Sequence, residues 1–170
     1  VADAYYAARK IVKGLRDQNN HLITRVKSNA VAFVPYVHQG PHKRGRPRLY
    51  GAKVKVKSLL SDTQPAQSAP SPVYGEHNVI IQYRVCDLLS RSSGRLVRFV
   101  AVTHPCRGSC LLMCTDLCLG AIEIIRLYGL RFKIEHSFKQ AVNLIGTFTY
   151  HFWMQDMKPL RRGNGNQYLH

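Results

Sequence analysis

The sequence is short of acidic residues. It contains 9 Asp and Glu against 25 Lys and Arg in 170 residues, which gives a formal net charge of +16 and a pI near 10.1. This imbalance argues against an ordinary enzyme of small neutral metabolites and indicates a polyanionic partner, most often nucleic acid. Packing of the ribosomal-protein type, or simple solubility, gives a similar composition, so charge alone leaves these alternatives open.

Long apolar runs are also missing. The longest candidate, residues 110–130, is interrupted by Asp116, Glu123 and Arg126, so we predict no membrane span. The sequence opens without a secretory signal pattern, and we predict a cytoplasmic protein. Hydrophobic residues make up 45% of the chain, which is enough for one folded core with an insertion.

Closely paired cysteines are absent. The five cysteines are an odd number, which disfavours a closed disulfide framework. Cys106, Cys110, Cys114 and Cys118 recur at every fourth position, without the CxxC pairs that zinc sites usually show. We therefore favour buried, reduced thiols over a metal site, and reduced thiols suit a cytoplasmic protein.

The first part of the chain has the pattern of a strand, a helix and a second strand. Residues 7–18 place apolar side chains at helical spacing, with basic residues on the other side. Residues 1–6 have the pattern of a strand end and a turn, and residues 21–27 alternate as a strand does. Two strands and a helix in so short a span form a βαβ unit, which predicts a parallel sheet.

The middle of the chain is rich in strand-forming residues and carries a basic segment. Residues 41–57 hold seven Lys or Arg, and Lys53, Lys55 and Lys57 alternate with valines as on a strand with one cationic face. The other predicted elements are a loop at 61–72, a hairpin of 78–85 with 96–102, a strand at 111–114 and a long helix over 119–146.

Two carboxylates stand out by position. Asp3 follows a strand end, where sites of α/β proteins cluster, although many such residues are turn formers or helix caps. Glu135 shares one helical stripe with Tyr128, Arg131 and Lys139, at about 100° per residue. Such a stripe could grip a phosphate beside a metal. The alternative is a surface ladder with an Arg131–Glu135 ion pair.

Two parts of the first 51 residues resemble DDE transposases of bacterial insertion sequences. The sequence Ala-Asp-Ala-Tyr at 2–5, followed by a helix and by Leu-Ile-Thr-Arg-Val-Lys at 22–27, resembles the region of their second catalytic aspartate. The run Arg-Gly-Arg-Pro-Arg-Leu-Tyr-Gly at 44–51 resembles a segment met in the same proteins, as does Tyr-His-Phe-Trp at 150–153.

A second block resembles the region of their catalytic glutamate. Residues 113–117, followed by Tyr128, Arg131 and Glu135, match the Tyr, Arg and Glu of a signature that ends in Lys seven positions after the Glu. Val142 stands at that last position, and Lys139 is our candidate substitute.

The resemblance implies an α/β fold, a partial RNase H-like core interrupted by a β-rich insertion. It places the part of the core with the second aspartate at 1–30, the insertion with its basic segment and Pro/Ser loop at 31–110, the strand and glutamate helix at 111–150, and a tail at 151–170.

The resemblance also implies the chemistry of DNA transposition. Asp3 and Glu135 would be the catalytic residues and would hold Mg²⁺ or Mn²⁺, which activate water or a DNA 3′-hydroxyl for attack on phosphorus. Partners would be transposon ends and target DNA, bound by a homodimer. The predicted contacts to DNA phosphates are Tyr128, Arg131, Lys139, Arg25, Lys43, Arg44, Arg46 and Arg48.

This family uses three carboxylates, the first of which lies upstream of the second. We therefore predict a C-terminal fragment of a transposase, inactive alone for lack of the first aspartate. A non-catalytic DNA-binding module is the alternative, because residues 44–47 (Arg-Gly-Arg-Pro) match the core of an AT-hook. A decayed product that does neither is the third reading. The transposase reading predicts that the Asp3 and Glu135 carboxylates approach within roughly 4–8 Å as shared metal ligands.

Overall fold

A computed structural model describes residues 1–38, 45–61, 65–73 and 75–145, with the backbone alone for residues 132, 134, 135 and 142–145. The chain divides into two compact units, Val1–Phe132 and Lys133–His170. Lys43, Arg44 and the segment 150–153 lie outside the described residues.

The described residues contain two α-helices, two short 3₁₀ helices and seven strands. The α-helices are α1 (Arg9–Asp17) and α2 (Ala121–Ile145), and the 3₁₀ helices are Ala4–Ala7 and Val56–Leu60. The strands are β1 (Ile23–Arg25), β2 (Val31–Pro35), β3 (Tyr50–Lys55), β4 (Gln67–Pro70), β5 (Ile80–Leu89), β6 (Leu96–His104) and β7 (Gly108–Cys114).

The seven strands form one sheet in the order β1-β7-β6-β5-β2-β3, with β4 paired to β5. Every ladder between these strands is antiparallel, so the parallel sheet predicted from the βαβ pattern is wrong. Short turns join β5 to β6 and β6 to β7, and such turns force neighbouring strands to run in opposite directions. The parallel contact of the βαβ unit is a single bridge between Ala2 and Thr24.

Helices pack on both faces of the sheet in unit Val1–Phe132. On β6, Val97, Phe99 and Ala101 belong to the core cluster that contains Val12 of α1. The intervening Val100 and Val102 belong to a second cluster, which contains Ile124 and Ile125 of α2. This alternation has the two-residue period of a strand that is buried on both faces. We refer to the two sides as the α1 face and the α2 face.

The mixed α/β class is thus confirmed at the level of helices packed on a sheet, while an RNase H-like core stays a prediction. Strands from the predicted segments 1–30, 31–110 and 111–150 all enter one sheet. Their boundaries as domains also stay a prediction. Neither helix of the described residues has both the length and the apolar character that a membrane crossing requires.

Several local predictions are confirmed and two are wrong in part. The strand predicted through Lys57 ends at Lys55, and Lys57 lies in the 3₁₀ helix Val56–Leu60. The hairpin forms as β5 and β6, the further strand as β7, and the long helix as α2. Part of the predicted 61–72 loop is strand β4, which pairs with the first half of β5. The prolines that suggested a loop are compatible with β4, because it lies at an edge of the sheet where a missing N–H is tolerated.

The cysteines are unpaired, but only some of them are buried. Cys114 is buried on β7, and Cys110 packs against the same core cluster. Burial raises the pKa of both thiols. Cys106 and Cys118 are exposed, contrary to the prediction, because they lie in the turns before and after β7. No group of three His, Cys, Asp or Glu in the described part of the chain is arranged to hold a metal.

Candidate active site and nucleic-acid interface

Asp3 lies at the end of the first extended segment. Its backbone is extended (φ −79°, ψ 168°), and its Oδ1 accepts a hydrogen bond from the Ala4 N–H at 2.7 Å. The carboxylate therefore caps the following 3₁₀ helix, which is the structural role weighed above. The residue is exposed, so the cap does not bury the carboxylate away from a ligand.

A buried threonine holds the extended segment that carries Asp3. Thr24 on β1 is fully buried, and its Oγ1 donates a hydrogen bond to the Asp3 carbonyl oxygen at 2.7 Å. The Ala2 N–H donates to the Ile23 carbonyl oxygen at 2.8 Å across the same parallel bridge. Sequence reasoning did not single out Thr24, because a threonine within a strand pattern is an ordinary occurrence.

Three of the predicted phosphate contacts lie on the α2 face of unit Val1–Phe132. Arg131 lies over the ring of Tyr128, with its guanidinium carbon 5.5 Å from the ring centroid. Arg25 follows Ile23 by two positions on β1, and Ile23 belongs to the α2-face core. Both arginine charges act on the Tyr128 hydroxyl. The structure therefore brings Arg25, Tyr128 and Arg131 into one electropositive neighbourhood.

The environment keeps the Tyr128 hydroxyl protonated. Burial raises the pKa of Tyr128, and the opposing charges of Arg131 and Arg25 do not cancel that effect. At neutral pH the hydroxyl is therefore a hydrogen-bond donor, beside two cations that attract an anion. This is the combination that suits a phosphate oxygen.

The glutamate block occupies one continuous helix. Tyr128, Arg131, Glu135 and Lys139 all fall within α2, as their spacing predicts, and Lys139 is exposed. The side chain of Glu135 lies outside the described residues, and so does its predicted approach to Asp3. Asp116, which precedes this helix, accepts a hydrogen bond from the Cys118 N–H at 2.8 Å and shapes the turn, as predicted.

The basic segment is described from residue 45 onward. Arg48 donates through Nε to the Tyr50 carbonyl oxygen at 2.9 Å, and its guanidinium carbon lies 5.2 Å from the centre of the Tyr36 ring. Arg46 and Arg48 line a cavity of about 610 Å³ together with two arginines from elsewhere in the chain, Arg9 and Arg91. Arg91 in turn lies over the Phe33 ring, 4.9 Å from its centroid. Sequence reasoning placed neither Arg9 nor Arg91 beside this segment.

The fit of a divalent cation depends on the donors available. Mg²⁺ and Mn²⁺ prefer oxygen ligands, and the exposed carboxylate of Asp3 is of that kind. One carboxylate is not a complete site, and the described residues contain no group of three or more His, Cys, Asp or Glu that could hold a metal. Asp3 therefore fits by its chemistry as one ligand of such a site.

A second polar cluster, which sequence reasoning missed, is centred on Glu76. Its carboxylate is 9% exposed and accepts from His104 Nε2 at 3.1 Å, from Arg107 at 2.8 Å and from the Ser71 hydroxyl. His104 Nδ1 accepts the backbone N–H groups of Cys106 and Arg107, both at 3.1 Å. The histidine proton therefore lies on Nε2, and the cluster ties the segment before β5 to the β6–β7 turn.

The Glu76 cluster predicts a specific pH dependence of stability. Burial opposes ionisation of Glu76, but hydrogen bonds from Ser71 and His104, with the charge of Arg107, lower its pKa below the ordinary 4.5. A depressed carboxyl pKa contributes stability above about pH 4.5 that is lost as pH falls through the lower folded value. We expect Glu76→Gln to lower the free energy of unfolding by about 1–2 kcal/mol at pH 7 and by much less near pH 3.

Urea unfolding at pH 7 and near pH 3 checks this expectation. Glu123→Gln is the matched control, because the Glu123 side chain is 40% exposed where it pairs with Arg126 on α2, and its loss should change stability little at either pH. An equal loss of stability for Glu76→Gln at both pH values would contradict the assignment.

Comparison with known proteins bears on the half of the chain that contains Asp3. The family described as DDE superfamily endonuclease matches residues 1–85, which include α1, the parallel bridge and the basic segment. No curated protein and no solved structure matches the chain significantly. Because the match spans half of the 170 residues, the chain belongs to the DDE superfamily endonuclease family.

Proposed function

We propose that this chain is part of a DNA transposase that cleaves and joins DNA by two-metal phosphoryl transfer. The observation that carries the proposal is the family match over residues 1–85, which contain an exposed carboxylate, Asp3, directly after Ala2 and its parallel bridge to Thr24 on β1. The net charge of +16 supports DNA as the substrate, because a polyanion is attracted over the whole cationic surface. No finding supports the alternative of a non-catalytic AT-hook module.

Asp3 and Glu135 are the residues that would hold Mg²⁺ or Mn²⁺ in this proposal. When bound, these cations supply Lewis-acid activation of a water or 3′-hydroxyl and neutralise charge at phosphorus. Thr24 and the parallel bridge fix the backbone of Asp3, so its carboxylate would reach the reaction from a rigidly held segment. Rigid placement matters because catalysis by metals depends on fixed ligand geometry.

In the first reaction water attacks a phosphodiester at the transposon end, and the bond from phosphorus to the 3′-oxygen breaks. The released 3′-hydroxyl then attacks a target phosphodiester, so one P–O bond forms for each that is lost. Arg131 would hold a non-bridging phosphate oxygen through its planar fork, with the protonated Tyr128 hydroxyl and Arg25 beside it. Lys139 on the same helix would contact a further phosphate.

The basic segment would follow the DNA backbone outside the reacting bond. Lys43, Arg44, Arg46 and Arg48 belong to this part of the proposal, and the cavity lined by Arg46 and Arg48 gives it a described surface. We also propose that the intact protein acts in the cytoplasm as a homodimer on paired insertion-sequence ends. The upstream strands that the resemblance implies would supply the first carboxylate there.

The test uses the intact transposase, in which this chain follows those upstream strands, with DNA that carries its terminal repeats. We expect cleavage that leaves a 3′-hydroxyl, that requires Mg²⁺ or Mn²⁺ and that stops in EDTA. The measurement is the yield of nicked product on a denaturing gel with each cation at several concentrations. Tight DNA binding without cleavage under any of these conditions would contradict the proposed enzyme and favour a binding module.

A further inference from the structure

We propose that a cavity between α1 and the β5–β6 turn binds a phosphate of the DNA backbone, a site that deepens the proposed function and rests on it. This cavity, the α1 pocket, has a volume of about 410 Å³. Its cationic lining residues are Arg9, Lys13, Arg16 and Arg95. Neither the resemblance nor the basic segment led to this location.

Four cations converge on the α1 pocket with little negative charge to balance them. Arg9, Lys13 and Arg16 lie at positions i, i+4 and i+7 of α1 and therefore share one face of the helix. Arg95 faces them from the β5–β6 turn, and Asp17 is the one acidic residue in the lining. Within the part of the chain that the structure describes, no salt bridge joins any of the four cations to a carboxylate.

Arg16 supplies the observation that points to a bound anion. Its Nη1 is buried, and no described residue accepts a hydrogen bond from it. A buried charged donor without an acceptor costs free energy, which an anionic oxygen in the pocket would recover. Arg16 also lies in the last turn of α1, where the helix dipole favours a cation, but that effect accounts for one charge and not for four.

The surroundings of the pocket favour a polymer over a free anion. Arg9 and Gly94 line both the α1 pocket and the larger cavity that contains Arg46, Arg48 and Arg91. The two cavities therefore form one continuous cationic track. A track of this kind matches successive phosphates of a nucleic-acid strand, whereas a single inorganic phosphate needs only one of the cavities.

The test measures DNA binding by the 170-residue chain over a range of salt concentrations. We expect Arg16→Gln and Arg95→Gln each to raise the Kd for duplex DNA about five- to tenfold near 0.15 M salt. Each should also make the plot of log K against log salt concentration less steep, by the amount that corresponds to the loss of about one phosphate contact. Lys10→Gln is the matched control, because Lys10 is exposed on α1 and its replacement removes the same charge outside the pocket.

A second arm tests inorganic phosphate against chloride at equal ionic strength by thermal melting. We expect phosphate to raise the Tm of the wild-type chain and to raise it less in Arg16→Gln. Arg95→Gln keeps the test valid if Arg16→Gln does not fold, because Arg95 is exposed in a turn.

If Arg16→Gln and Arg95→Gln both bound DNA with the Kd and the salt dependence of the wild-type chain, the α1 pocket would not be a phosphate site. The proposed function would be unaffected by that result. Failure of the wild-type chain to bind DNA would overturn the α1 pocket as a DNA site, while the cleavage assay on the intact transposase decides the proposed function separately. In that case an effect of phosphate that depends on Arg16 would assign the pocket to a free anion instead.

Discussion

Replacing Asp3 by Asn, or Glu135 by Gln, is expected to reduce DNA cleavage by the intact transposase at least about a thousandfold. The expected size follows from the several kcal/mol that metal ions contribute by stabilising charge in the transition state. Both substitutions remove a negative charge that would ligate the cation while keeping the shape of the side chain. DNA binding should stay within about threefold, because the cationic residues are untouched.

The structure makes Asp3→Asn a clean substitution. Asp3 Oδ1 accepts the Ala4 N–H, and an asparagine oxygen at the same place accepts it equally well. Asp3→Ala removes both the metal ligand and the cap, so it should cost about 1 kcal/mol of stability in addition to the loss of activity. Comparison of the two variants by urea unfolding and by cleavage therefore separates the ligand role from the capping role.

Glu123→Gln is the matched control for Glu135→Gln. Both glutamates lie on α2, but Glu123 is partly exposed in its first turn and pairs with Arg126 at 2.5 Å. Its substitution should leave cleavage within about twofold, as is usual for the loss of an exposed ion pair. If Glu135→Gln cleaved DNA as well as Glu123→Gln does, Glu135 would not be a metal ligand, and the α2 stripe would be a surface ladder.

The features predicted correctly from sequence are those encoded by local periodicity. The apolar spacing after Leu119 and the β-rich runs on either side of Gly94 led directly to α2, β5 and β6. Beyond such a hairpin, which strands pair is a long-range property, and the sequence carries no local record of it. The βαβ pattern predicted parallel neighbours, but β7 pairs antiparallel with β1 and extends the β5–β7 meander instead.

The same distinction applies to the site. Asp3, Tyr128 and Arg131 became candidates because their motifs are short in sequence, and the structure places the Arg131 guanidinium over the Tyr128 ring. The α1 pocket was missed although its helical stripe is visible in the sequence, because Arg95 joins it from a distant turn. The Glu76–His104 pair is 28 positions apart and had no signal of this kind.

Gly51→Ala is expected to destabilise the protein by about 1–3 kcal/mol, the usual cost of overpacking against atoms that cannot move. Between the Phe33–Lys53 and Pro35–Tyr50 pairs, β2 contributes one residue and β3 contributes two, which is a β-bulge. A Cβ on Gly51 would lie 2.8 Å from the Val34 carbonyl oxygen and 3.2 Å from that of Pro35. Both atoms are backbone, so the bulge itself would have to shift.

Two other glycines provide controls at which a Cβ meets no such clash. A Cβ on Gly14 in α1 would meet no atom within 4 Å, so Gly14→Ala should stabilise the helix by about 1 kcal/mol. A Cβ on Gly129 in α2 would meet the Val73 methyl groups at 3.4 and 3.5 Å, which is ordinary contact, so Gly129→Ala should also be tolerated. Urea unfolding of the three variants, followed by circular dichroism, measures the differences. Equal stability of Gly51→Ala and Gly14→Ala would show that the β2–β3 bulge does not confine position 51.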